Sequence, residues 1–189
     1  DTANLQNQIP AVPALFADIT AGAEINYRHS EPDYIDFNIQ RLLPHKMSEY
    51  APGLAVGDLD GNGLDDLVST GSFGYSSQLF FQQASGKFIR KDLQPGANSG
   101  NKLREELGVL VFDADKDGDL DIYTTGGGYE QKSQSASYLD LLYLNDGKGG
   151  FSPDTLAIPA NTTSKSCVRA ADYDKDGDLD LFIAGRVEP

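Results

Sequence analysis

The sequence predicts an all-β protein assembled from repeated antiparallel units, and three observations carry that prediction. Of the 22 aspartates, 14 lie in three nine-residue windows, Asp58 to Asp66, Asp113 to Asp121 and Asp172 to Asp180. The windows read DLDGNGLDD, DADKDGDLD and DYDKDGDLD and share D-x-D-x-[DN]-G-x-x-D without an insertion, at starts 55 and 59 residues apart. Each window is flanked by short runs rich in β-branched and aromatic residues that end at or near glycine, the pattern of strand, acidic turn, strand.

Residues 1–49 read as an N-terminal arm, with a hairpin predicted over EINYRH (24–29) and YIDFNI (34–39). GLAVG (53–57) and LVSTG (67–71) are the strands around the first acidic turn. LFFQQASGKF (79–88) adds an apolar run, a glycine turn and a closing Phe, so four strands fall in a first unit, 50–104. KLREELG (102–108) is expected to form one or two helical turns between units. VLVF (109–112) and IYTTG (122–126) flank the second acidic turn, and LLYLNDGKGGF (141–151) is a hairpin with Asp146-Gly147 at its turn, which completes a second unit, 105–164. CVRAA (167–171) and LFIAG (181–185) flank the third turn, so 165–189 is the first half of a third unit. Four short strands per unit is the content of one propeller blade, and the chain is a fragment of about three such blades. A closed ring needs about four to eight. The polypeptide is therefore expected to continue beyond Pro189, or other chains to supply the missing blades.

Composition narrows the partners. The 189 residues include 29 acidic and 15 basic side chains, a formal charge of −14, which excludes nucleic acid and anionic lipid as main partners and implies a cationic one. A single cysteine, Cys167, excludes a disulfide framework and a four-cysteine zinc site. No run reaches the roughly 18 apolar residues of a membrane span. No signal peptide is visible and the first residue is Asp1, the expectation for a mature product or an excised fragment.

The acidic turns supply the cation. Aspartates at positions 1, 3 and 5 turn their carboxylates inward, the glycine at position 6 (Gly63, Gly118, Gly177) permits the sharp bend, and position 9 closes the shell. The side-chain ligands are then Asp58, Asp60, Asn62 and Asp66; Asp113, Asp115, Asp117 and Asp121; and Asp172, Asp174, Asp176 and Asp180. Position 7 carbonyls come from Leu64, Asp119 and Asp178. An all-oxygen cage of about six to eight ligands suits Ca2+, so three calcium sites are expected. Zinc and copper would want His or Cys. Without a cation, carboxylates about 4 Å apart repel by about 4 kcal/mol at an effective dielectric of 20, and four of them would splay the loop. An EF-hand needs Glu at position 12, where Ser69, Thr124 and Ile183 stand inside predicted strands.

These loops with their strand flanks resemble the FG-GAP or VCBS repeats of integrin α-subunit-type β-propellers, over roughly residues 50–189. More narrowly, FADIT (16–20), RLLPHKMS (41–48), GLAVGDLDGNGLDDLVSTG (53–71), LYLNDGKGGF (142–151) and DYDKDGDLDLFIAGRV (172–187) resemble secreted bacterial VCBS-repeat proteins related to UnbV and cartilage acidic protein. The resemblance implies a seven-bladed parent ring and calcium loops that each join two strands of a blade. Asn62 departs from the usual third aspartate, which should make the first site the weakest.

The function expected is a calcium-stabilised adhesion or interaction scaffold at an extracellular, cell-surface or periplasmic location, with a protein or glycan ligand and with calcium structural. The alternatives are a carbohydrate-active enzyme of lyase or dehydratase type, or a lectin, on the same propeller. No catalytic residue is assigned. His45, in LLPHKMS, reads as a positional loop residue. His29 stands near Glu31 and Asp33, but on a strand neighbours face opposite ways, so the three read as polar surface residues. TGGGYE (125–130) lacks the Lys-Ser/Thr of a phosphate loop and reads as a loop between strands. TGSFG (70–74) misplaces the serine of a nucleophile elbow. Cys167 reads as a small buried residue in a strand.

Overall fold

The computed structural model describes residues 14–50 and 52–187, with the backbone alone for Arg186. Among the described residues ten strands form three antiparallel sheets. β1 (Leu54–Gly57), β2 (Asp66–Ser69), β3 (Gln78–Gln82) and β4 (Phe88–Asp92) make the first. β5 (Glu105–Phe112), β6 (Asp121–Gly127), β7 (Leu141–Asn145) and β8 (Phe151–Asp154) make the second, and β9 (Ser164–Ala171) with β10 (Asp180–Val187) makes the third. Each sheet is a meander in which every strand pairs with its neighbour in sequence. This is the blade architecture expected, and the chain is an all-β propeller fragment.

Strand alternation decides which blade each side chain meets. The residue after the loop-closing aspartate faces the preceding blade, and the next residue faces the following one. Ile122 thus packs with Val68, Leu79 and Phe81 between the first and second blades, while Tyr123 packs with Val168, Leu181 and Ile183 between the second and third. At full burial each such side chain contributes about 1.5–3 kcal/mol. The equivalents that face no further blade are open: Phe182 is 69% exposed where Val68 and Tyr123 are 0%, and Leu54 is 65% exposed where Val109 and Val168 are 8% and 0%.

The structure corrects the reading of KLREELG. Its last residues, Glu105 to Gly108, begin β5, with a register irregularity between Glu106 and Val109. Charged side chains at helical spacing argue for a helix, but here they meet partners from other elements: Ser77 Oγ donates to Glu106 at 2.5 Å and Gln94 Nε2 donates to it at 2.9 Å. Tertiary bonds override local propensity. TGGGYE also differs, because Thr125 to Gly127 finish β6 and the turn starts at Gly128, which sits at φ +85°.

The predicted hairpin over 24–29 and 34–39 is absent. Residues 24–29 are irregular, and Asp36–Asn38 is a 3-10 turn. The fully buried Asp36 accepts the backbone N–H groups of Met47 and Ser48, the latter at 3.0 Å, so this stretch is tied to the 47–48 loop instead of pairing with itself. The arm lies along β4. Phe88 N–H donates to Ala23 O at 2.9 Å, Ser72 Oγ donates to Ser30 O at 2.6 Å, and Tyr27 packs edge-on against Phe80 at 5.5 Å.

Candidate metal centre

Each acidic loop leaves one strand and enters the next of its blade, and its backbone forms the same hairpin three times. Positions 4 and 6 both adopt φ > 0: Gly61 and Gly63 at +73° and +83°, Lys116 and Gly118 at +65° and +98°, Lys175 and Gly177 at +64° and +94°. Glycine tolerates this without strain, whereas the two lysines are held there by the loop around them. The position 6 N–H donates to the position 1 carboxylate, from Gly63 to Asp58 at 2.8 Å, Gly118 to Asp113 at 3.1 Å and Gly177 to Asp172 at 3.3 Å.

The loops bring together positions 1, 3 and 9. Asp58, Asp60 and Asp66 present carboxylate oxygens within 4.8 Å of one another, as do Asp113, Asp115 and Asp121, and Asp172, Asp174 and Asp180. Position 5 is engaged differently. Asn62, Asp117 and Asp176 accept the N–H of position 7, at Leu64, Asp119 and Asp178, at 2.8, 3.1 and 2.9 Å. Asn62 also uses the amide that a carboxylate lacks, because its Nδ2 donates to Gln82 O at the end of β3 at 2.9 Å.

Position 9 has a second role that its spacing does not reveal. Asp66 accepts Leu59 N–H at 2.8 Å and Gln82 N–H at 2.7 Å, and Asp121 accepts Ala114 N–H at 2.8 Å and Asn145 N–H at 2.9 Å. Asp180 accepts Tyr173 N–H at 2.9 Å. In the first two blades one carboxylate therefore closes the loop and anchors the third strand. Burial, opposed by these N–H groups, raises the Asp66 pKa. Asp119, at position 7, is pushed up to about 6 by lost hydration and then by the charges of Asp117 and Asp121.

The residues present fit a hard cation. Every donor in the three clusters is oxygen, and in the second loop Asp113 Oδ1 and Asp119 Oδ1 are buried with no hydrogen donor. The clusters can hold a metal ion. Neighbouring loops are cross-linked by residues that sequence reasoning missed. Asn145 Nδ2 donates to both Leu59 O and Leu120 O at 2.9 Å, and Lys116 ion-pairs with Asp178. Only the Asn-Asp-Gly turn at 145–147 pointed near Asn145, and it pointed to a hairpin.

The other end of the blades carries buried charge. Glu106, second in β5, is equivalent to Lys165, second in β9, as their partners Gly126 and Gly185 across each sheet show. Glu106 pairs with Lys102 at 3.2 Å, and Lys165 pairs with Asp140 at 3.2 Å with both side chains at most 2% exposed. Tyr123 donates to the same Asp140 at 2.8 Å. Beside them, the buried Glu105 meets Glu130, and the carboxylates of both lie against Gly128, which sits at φ +85°. Burial, then the charge of Glu130, lifts the Glu105 carboxyl far above the usual carboxylate range.

His29 is also not as expected. Its segment is no strand, and its ring bridges Tyr27 and Glu31, with Nδ1 3.2 Å from the Tyr27 hydroxyl and Nε2 3.0 Å from the Glu31 carboxylate. His45 packs edge-on against Tyr50 at 5.8 Å. Cys167 lies in β9, half-buried and free.

A comparison with curated proteins finds no match. The family model described as FG-GAP-like repeat matches residues 47–124 and 130–183, which include all three acidic loops and well over half of the chain. With three loops of one geometry at the same place in three successive blades, the chain belongs to the FG-GAP-like repeat family.

Proposed function

We propose that this chain is a calcium-stabilised interaction module that works outside the cytoplasm, as an adhesion or binding scaffold for a protein or glycan ligand. One observation carries the reading: three loops repeat the same convergence of carboxylates from positions 1, 3 and 9. Calcium supplies charge neutralisation and a fixed coordination geometry there. The residues do the rest. Asp58, Asp113 and Asp172 tie the bend, Asp60, Asp115 and Asp174 complete the cluster, Asp66 and Asp121 join it to the third strand of the blade, and Asp180 closes on the Tyr173 N–H within its loop. Because the ligands converge only in the folded chain, binding energy becomes folding energy. Extracellular modules of this kind need only about 10⁻⁴–10⁻³ M affinity, which matches calcium outside cells. No chemical step is assigned to these carboxylates.

The apolar faces left open at Leu54, Val56 and Phe182 support a second part of the reading. Their equivalents in the inner positions are covered by the next blade, so further blades, from the same polypeptide or another, cover them in the working assembly. Equilibrium dialysis against calcium tests the proposal. It predicts three ions per chain, with the Asp58–Asp66 loop filling last. A chain that retains no calcium above 1 mM, or that binds magnesium equally well, contradicts it.

A further inference from the structure

An unbroken path of hydrogen bonds joins the first two acidic loops, and its middle is Asn145, the last residue of β7. Asp121, the position 9 carboxylate of the second loop, accepts the Asn145 N–H at 2.9 Å. Asn145 Nδ2 donates to Leu59 O at 2.9 Å, and the Leu59 N–H donates to Asp66, the position 9 carboxylate of the first loop, at 2.8 Å. The path therefore connects one closing carboxylate to the other.

Its members are held on every side. Nδ2 also donates to Leu120 O at 2.9 Å, and Asn145 Oδ1 accepts the N–H groups of Asp146 and Gly147 at 2.9 and 3.2 Å. The Leu59 side chain is fully buried in the core between the first two blades. The turn after Asn145 touches both loops as well, with Gly147 against the Asp119 carboxylate and Gly149 against Asp60. The second and third loops lack such a joint. Among the described residues the direct polar link between them is the exposed Lys116–Asp178 ion pair, which water and salt screen.

We propose that Asn145 couples the first two calcium sites, so that filling the second loop raises the affinity of the first. This coupling presupposes the calcium-binding role proposed above and adds a regulation of the same sites. In the empty second loop Asp121 crowds against Asp113 and Asp115, whose like charges push it outward. With that charge neutralised the Asp121 carboxylate stays in place and fixes the Asn145 amide. Leu59 and Asp66 are then ordered before the first loop receives its own ion, through a contiguous polar network. The loop that gains is the one with Asn62 in place of a fourth carboxylate. Coupling of this kind is reciprocal, so the first site strengthens the second by the same factor.

Calcium titration followed by the backbone amide resonances of Gly63, Gly118 and Gly177 reads the three loops separately, because each of these N–H groups donates to the first carboxylate of its own loop. Asp115→Ala disables the second loop and leaves every member of the path in place. It moves the Gly63 midpoint to about fivefold higher calcium or more, and Asp60→Ala moves the Gly118 midpoint by the same factor. Asp174→Ala moves the Gly63 midpoint by less than about twofold, since only a screened ion pair joins its loop to the others. In an Asn145→Ala background Asp115→Ala no longer moves Gly63, a non-additivity that general destabilisation does not produce. Should Asn145→Ala fail to fold, the reciprocal shifts of Asp115→Ala and Asp60→Ala carry the test alone. If all three glycines titrate but the Gly63 midpoint is unchanged or lower in Asp115→Ala, the coupling is overturned and the calcium-binding role stands. If no glycine responds to calcium, both fall.

Discussion

At one end of the blades three loops repeat one wiring residue for residue, whereas at the other the equivalent residues Glu106 and Lys165 carry opposite charges and meet unlike partners. The acidic end is local: each cluster is built from nine consecutive residues, so the same sequence makes the same geometry three times. The charged end is non-local: Glu106 depends on Ser77 and Gln94 of the preceding blade, and Lys165 depends on Asp140 and the Tyr138 carbonyl. The first end makes the blades alike, and the second makes the two junctions different. A blade swapped into the wrong order would face like charge or an unpaired buried ion.

The largest effect is expected where that difference is sharpest. Lys165→Met leaves Asp140 buried and unpaired, and a broken buried pair costs about 3–5 kcal/mol. Urea denaturation reads it, and a loss below 1 kcal/mol would mean the junction charges are incidental. At the acidic end the loss should be smaller and divide by position. Asp121→Ala orphans the Ala114 and Asn145 N–H groups and costs about 1–3 kcal/mol even in chelator, while Asp115→Ala destabilises only the calcium-loaded chain. Equal losses for the two in chelator would remove the second role given to position 9.

A pH series separates the two ends further. Burial holds the Glu105 carboxyl protonated in the fold, while in the unfolded chain it ionises near 4.5. Its contribution is therefore complete below pH 4.5 and is lost as pH rises towards its raised folded value. Glu105→Gln should flatten the fall in melting temperature between pH 6 and pH 9, and an unchanged slope would show that the Glu105–Glu130 pair does not hold that proton. The smallest effect is at Asn62. Asn62→Asp loses the bond from Nδ2 to Gln82 O, about 0.5–1.5 kcal/mol in chelator, and gains calcium affinity at the first loop. If Asn62→Asp binds calcium no better than wild type, position 5 serves the loop backbone alone.

The same contrast explains what the sequence made legible. The blades, the three loops and the strands around them follow from local pattern, because alternation and turn chemistry act within a few residues. Even there, position 5 proved to brace the backbone of position 7, a detail that ligand spacing does not distinguish from coordination. The charged end was illegible. KLREELG has a helical look that is overridden by partners 12 to 29 residues away in sequence, and nothing local marks Glu130 as the neighbour of Glu105. The bridge from Tyr27 through His29 to Glu31 was missed because a strand was assumed where the arm is irregular.

Thermal unfolding of the chain in 2 mM calcium and in excess EDTA tests the central claim most directly. The three clusters predict a melting temperature that falls sharply in EDTA and recovers when calcium is restored, with Asp58→Ala, Asp113→Ala and Asp172→Ala each removing part of the difference. A melting temperature that is the same in calcium and in EDTA would contradict it.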